Sequence, residues 1–227
     1  MRRPYYCKMG EIMRKKLMIC CTTFLLMLAL TIPASAAFGT FQDVQETSDC
    51  YESVLYLSDH GITNGTGRVC FSPDLPVTVR QWAMMLCRAY DVKVDGSSWS
   101  DLSLSAVEQS YRKGWLSETA LFASNTQFCR GAPYKSAFAA AKIPVYDSIL
   151  YENGVELSDF ENCLRTAREL SLCGETVGVT EIVTRGEAAQ LLYAVLIRDL
   201  TVEAPPAPVS LENWAGVDVN DYLLALR

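Results

Sequence analysis

The feature that most restricts how this chain can fold is a helix–loop–helix unit that it repeats. In residues 41–90, Phe41-Gln42-Asp43-Val44 leads into an amphipathic stretch near Tyr51–His60, with Val54, Leu55 and Leu57 apolar and Ser53, Ser58 and Asp59 polar. Gly61 follows, the residue type that most readily takes the left-handed conformation ending a helix. Ile62-Thr63-Asn64-Gly65-Thr66-Gly67 is turn chemistry, because Gly and Asn tolerate positive φ. Pro73 and Pro76 keep the next approach extended. A second helix then opens on a capping box, with Thr78 as N-cap and Gln81 three residues on. The same box recurs at Thr184-Arg185-Gly186-Glu187, ahead of Ala188-Ala189-Gln190-Leu191-Leu192.

A shorter signature recurs with it. Phe41-Gln42-Asp43-Val44, Trp99-Ser100-Asp101-Leu102 and Leu157-Ser158-Asp159-Phe160 all read apolar-x-Asp-apolar, and Asp43, Asp101 and Asp159 are each 58 residues apart. After the second copy, Ala106–Lys113 is helical in pattern and is closed by Gly114 before Trp115-Leu116. A loop over Ser117–Phe128 and an Ala-rich helix over Tyr134–Ile143, stopped by Pro144, complete that unit. The third copy predicts helices over Glu161–Leu172 and Arg185–Leu200. The units are expected over residues 38–92, 97–146 and 155–202, with an irregular linker at Val145–Glu156. Each helix carries one apolar stripe, such as Trp82, Met85, Leu86 and Ala89, that only neighbouring units can bury. The fold class predicted is all-α.

Phe-x-Asp-Val, a helix, Gly-Ile-x-x-Gly, a Phe-x-Pro loop and a Thr-x-Arg helix start together resemble the S-layer homology repeat. The resemblance is good over Phe41–Tyr90, fair over Ser158–Arg198 and poor between them, so the middle copy reads as degenerate. It implies three helix–loop–helix repeats packed as a pseudo-threefold bundle. It also implies non-covalent anchoring of a bacterial surface protein to cell-wall polysaccharide.

The leader is read from the residues themselves. Arg14-Lys15-Lys16, the mostly apolar Leu17–Ile32 and then Ala34-Ser35-Ala36 form a secretory signal peptide over residues 1–36, with Met13 as an alternative start. The apolar run is short of the roughly 20 residues that span a bilayer, so no stable membrane insertion is expected after cleavage. Residues 1–36 hold six basic side chains (Arg2, Arg3, Lys8, Arg14, Lys15, Lys16) and one acid (Glu11). The remainder therefore carries 14 basic and 25 acidic residues, a net charge of −11. That excludes nucleic acid, which needs a basic face. The six remaining cysteines, Cys50, Cys70, Cys87, Cys129, Cys163 and Cys173, admit either disulfides or buried thiols. At the far end, Ala204-Pro205-Pro206-Ala207-Pro208 reads as a stiff spacer, and residues 203–227 form spacer and tail.

The arginines are the candidate chemistry. Aligned on the Ala/Leu pattern behind them, Arg80, Arg130 and Arg185 hold equivalent places in the first turn of a helix. A cation there opposes the helix dipole, whereas free backbone N–H groups and a guanidinium fork suit an anion. The other reading is a clamp, each Arg paired to Asp43, Asp101 or Asp159. Under the resemblance, the Arg of Thr-Arg-x-Glu contacts an acidic, pyruvylated wall sugar. That role falls on Arg80 and Arg185, while Arg130 stands in a copy with Cys129 for Thr and Ala132 for Glu. Trp115, and with it Trp99, could stack on a sugar ring or belong to the core. With one His and no nucleophile–base constellation, no catalytic residue, metal site or cofactor is implied. The expectation is an exported wall-binding protein and not an enzyme. A secreted protein-interaction module and an enzyme with an unrecognised site are the rivals.

Overall fold

The computed structural model describes residues 41–148 and 156–204. The expected leader, most of the linker (residues 149–155), and the spacer and tail from residue 205 onward lie outside the described residues. Within them the secondary structure is helical: α1 (Tyr51–Asp59), α2 (Val79–Ala89), α3 (Trp99–Arg112), α4 (Thr119–Phe122), α5 (Gly131–Ala141), α6 (Asp159–Glu169) and α7 (Arg185–Ile197).

Local chemistry starts these helices. Thr78 caps α2 and Thr184 caps α7, each in a reciprocal box with the residue three positions on, Gln81 and Glu187. Two further boxes, Ser98 with Asp101 and Ser158 with Glu161, start α3 and α6. Those boxes place the helix starts at Trp99 and Asp159, earlier than periodicity indicates. α5 has no side-chain cap, and Arg130 occupies its N-cap position. Gly61 ends α1 with φ +68°. His60 sits at the C-cap of α1, where its Nδ1 donates to the Tyr56 carbonyl at 2.8 Å.

The helices pack mostly against partners from other parts of the chain. α2 lies against α3, α5 against α6 and α7 against α1, and α2, α5 and α7 meet one another. Buried Trp82, Leu86, Phe138 and Leu192 fill the space among these three. Across it the Trp82 indole Nε1 donates to Ser136 Oγ at 2.7 Å. All six cysteines are free thiols, with Cys50, Cys87 and Cys163 buried. Burial pushes the Cys163 thiol up to about 11, so it packs as a small apolar group.

The extended residues just before α2, α5 and α7 are joined in a closed cycle. Val77 N–H donates to the Val183 carbonyl (2.9 Å), Val183 to Phe128 (3.1 Å) and Phe128 back to Val77 (3.2 Å). Two residues on, Val79 N–H reaches Thr126 O, Arg130 N–H reaches Glu181 O and Arg185 N–H reaches Leu75 O. The next set is Arg80 to Ser124, Gly131 to Val179 and Gly186 to Pro73.

These bonds correct the alignment of the arginines by one residue. Arg130 and Arg185 have Val79 as their counterpart, and Arg80 is the counterpart of Gly131 and Gly186. Close approach explains the glycines: a Cβ on Gly131 would meet Phe160 Cβ at 2.5 Å and Cγ at 2.6 Å. Gly131→Ala is therefore expected to destabilise the protein by about 1–3 kcal/mol through overpacking. A urea midpoint equal to the parent's would show that Phe160 has room to move.

The three aspartates do not share one place either, despite their even spacing. Asp43 lies ahead of α1 and accepts from the backbone N–H groups of Phe71 (2.8 Å) and Ser72 (2.7 Å). Asp101 is the third residue of α3, inside its capping box. Asp159 opens α6 and pairs with Lys135 at 2.5 Å. None of them forms an ion pair with Arg80, Arg130 or Arg185, although the charge of Asp43 acts on Arg185 from a greater distance. The carboxyls of Asp101, Asp159 and Glu161 are held below their ordinary range, by hydrogen bonds from Ser98, Lys135 and Ser158 respectively. A depressed carboxylate stabilises the fold above its ordinary pKa and stops doing so as pH falls through the folded value. Stability should accordingly decline below about pH 4, with part of the slope removed in Asp159→Asn. An acid limb identical in parent and variant would assign the decline elsewhere.

Candidate functional site

Arg185 is built into its place from three directions. Asp43 ties down the backbone at Phe71 and Ser72, where Ser72 takes a left-handed φ of +60°. That turn presents Phe71 to Arg185 twice: its carbonyl accepts from Arg185 Nε at 2.8 Å, and its ring lies 4.6 Å beneath the guanidinium carbon. The backbone bond to Leu75 completes the placement. The side chain is only 3% exposed, and its Nη2 has no hydrogen-bond partner among the described residues. Burial pushes its pKa down to about 10, offset in part by the charge of Asp43. The guanidinium is thus a buried cation held by one carbonyl, one ring face and the nearby charge of Asp43.

Arg185 lines a cavity of about 380 Å³. One wall is the loop Ile62–Gly67, another is α2 through Gln81, Met84, Met85 and Arg88, and Trp99 stands at the start of α3. Arg88 bridges two walls, donating from Nη1 to the Ile62 carbonyl at 3.4 Å. Trp99 is 53% exposed, a large aromatic surface available beside a guanidinium. Gln81 uses Oε1 to accept from Thr78 N–H at 3.1 Å, which leaves its Nε2 as a donor. The cavity thus combines a cation, an amide donor, hydroxyl and backbone groups of the loop, and an aromatic face. Such a set can hold a carboxylate on a polar ring.

The other predicted residues are dispersed. Arg130 is 9% exposed and is spent on carboxylates: Nη2 donates to Glu187 Oε1 at 2.8 Å, and Nε lies 3.4 Å from Glu181. Burial opposes its charge, but the Glu187 and Glu181 carboxylates outweigh burial and hold its pKa above the ordinary value. Arg80 is half-buried and donates from Nε to Ser124 Oγ at 3.2 Å, away from the Arg185 cavity. Trp115 packs at 5.5 Å from Tyr90 and lines a different cavity, of about 260 Å³, with Gly114, Lys135 and Phe160. The structure therefore brings Arg185 together with Trp99, and separates it from Arg80, Arg130 and Trp115. Gln81 and Arg88 are members that sequence reasoning missed. Gln81 was visible as the third residue of a capping box, but nothing local said that it lines a cavity with Arg185.

By class, then, the described residues form a helical domain with a cavity lined by one buried cation. Residues 40–78 match the family model of the S-layer homology domain. The matched stretch spans the Asp43 turn, α1, the loop Ile62–Gly67 and Phe71, but stops before Arg185. A search of curated proteins finds no match to the chain. No helix among the described residues is long and apolar enough to cross a membrane. Nor is any group of three or more His, Cys, Asp or Glu there placed to hold a metal ion.

Proposed function

We propose that this protein binds an acidic cell-wall polysaccharide non-covalently, at the Arg185 cavity, and thereby holds an exported protein at the cell surface. S-layer homology domains are associated with the cell surface and generally bind cell-wall polymers, and residues 40–78 match that family. The observation that carries the reading is Arg185, a buried cation with an unpartnered Nη2, lining a cavity that an exposed Trp99 also lines. A sugar carboxylate, such as a pyruvate ketal, would accept from it while the ring lies against the indole.

The reading takes the chain as three helix–loop–helix repeats about a pseudo-threefold axis. The cyclic hydrogen bonds of Val77, Phe128 and Val183 and the mutual contacts of α2, α5 and α7 support it. Under this reading the protein is not an enzyme, and Arg80, Arg130 and Trp115 contribute less to binding than Arg185.

A protein with net charge −11 after its leader should be repelled by an acidic polymer unless local donors overcome that field. The test is co-sedimentation with cell-wall sacculi at fixed salt, before and after mild acid removes ketal-linked carboxylates. Binding is expected to the untreated walls and to disappear after treatment. Equal sedimentation with both would reject the acidic-sugar assignment.

A further inference from the structure

The cycle that joins α2, α5 and α7 sets three counterpart junctions side by side, and their chemistry differs. The register pairs Arg130 with Glu187, Arg185 with Gln81 and Val79 with Ala132, and a direct contact forms at the first of these. Arg130 of the α5 start meets Glu187 of α7 at 2.8 Å. Arg185 of α7 lines one cavity with Gln81 of α2. Val79 of α2 stands where the other two helices have arginine, and Ala132 of α5 lines the cavity that holds Trp115.

Glu187 and Gln81 do the same local work. Glu187 Oε2 accepts from Thr184 N–H at 2.9 Å, and Gln81 Oε1 accepts from Thr78 N–H at 3.1 Å. They differ in the atom left over. Glu187 has a second carboxylate oxygen, which takes the Arg130 Nη2 proton. Gln81 has only an amide nitrogen, a donor that cannot accept from a guanidinium. Arg185, which shares its cavity with Gln81, has an Nη2 without a hydrogen-bond partner among the described residues.

We infer that the side chain at the third position of the following helix decides which junction takes an anion, so that Gln81 keeps Arg185 available and Glu187 internally neutralises Arg130. The chain accordingly has one acidic-sugar site and not one per repeat. The inference rests on the proposed reading of the Arg185 cavity and adds the residue that controls its charge.

The controlling substitution is isosteric. Gln81→Glu retains an oxygen for Thr78 N–H and places a carboxylate where the helix dipole favours one, so the helix start is preserved. The probe is a methyl glucopyranoside carrying a 4,6-pyruvate ketal, titrated by calorimetry into the whole mature chain. The parent is expected to bind one equivalent. Gln81→Glu should weaken binding roughly tenfold or more, the loss of a charge-assisted bond, while Gln81→Ala should weaken it far less. Glu187→Gln should raise the stoichiometry to two, and Arg130→Ala in that background should return it to one.

A second readout needs no ligand. In ¹⁵N spectra of the arginine side chains, Gln81→Glu should shift the Arg185 resonance towards that of the ion-paired Arg130, and Glu187→Gln should shift Arg130 the other way. Parent-like binding in Gln81→Glu, or a stoichiometry of one in Glu187→Gln, overturns the inference while leaving the acidic-sugar reading standing. If the parent ignores the pyruvylated probe, the reading fails, and the side-chain spectra alone decide the pairing. Unmoved Arg185 and Arg130 resonances would then overturn it.

Discussion

Arg185→Met is expected to abolish binding to acidic walls while leaving the protein at least as stable as the parent. The two effects have one origin. At neutral pH the folded chain holds a guanidinium whose pKa burial has pushed down to about 10, a cost on the order of 3 kcal/mol. Methionine removes that cost and fills most of the space. It also leaves the Phe71 carbonyl without its 2.8 Å donor, which costs about 1–3 kcal/mol. The balance lies near zero or in favour of the variant. Binding has no such compensation, because no other cation in the cavity is as deeply buried, and Arg88 already donates to Ile62. Losing the bond to a charged group predicts a fall of roughly tenfold to a hundredfold or more. Arg185→Lys should lose most of it too, since an ammonium lacks the planar fork. The checks are sacculus co-sedimentation and a thermal melt on the same samples. A variant that melts far below the parent, or one that still sediments with walls, contradicts the assignment.

Trp82→Ala should be the most damaging single substitution to the fold, at about 3–5 kcal/mol. The indole is fully buried where α2 faces α5, and its N–H reaches Ser136. Truncation removes a large apolar volume and strands the hydroxyl of Ser136, which still donates to the Ala132 and Pro133 carbonyls but loses the donor aimed at it. Against a total stability of about 5–15 kcal/mol, that is enough to populate unfolded chains. Trp82→Phe should lie well below it, because the ring is largely kept. Urea unfolding followed by helical circular dichroism gives both numbers. An alanine variant within 1 kcal/mol of the parent would mean that α2 and α5 are not held together through this residue.

The Gly131→Ala comparison separates backbone approach from side-chain packing at the neighbouring junction. There the clash is with Phe160, and the α2 counterpart already carries the full side chain of Arg80. A glycine is therefore needed at one junction and dispensable at another, although the backbone bonds are the same.

What the sequence determined by itself was local. The helix starts at Thr78 and Thr184, the left-handed Gly61, the turn through Asn64-Gly65 and the amphipathic stripe of Trp82, Met85 and Leu86 each depend on residues within a few positions. Such chemistry is legible without a fold. The even spacing of Asp43, Asp101 and Asp159 suggested equivalence, yet Asp43 clamps a turn that lies 28 residues ahead of it in the chain, and no local pattern reports such a pairing. Tertiary structure also decided the register of the arginines. The bonds from Val79, Arg130 and Arg185 to Thr126, Glu181 and Leu75 run between segments far apart in sequence. A shift of one residue there exchanges a buried position for a half-buried one, as Arg185 and Arg80 show. Finally, the pairing of Arg130 with Glu187 joins residues 57 positions apart, and Gln81 and Arg185 come to line one cavity from different helices. Sequence names these side chains, but only packing brings them together.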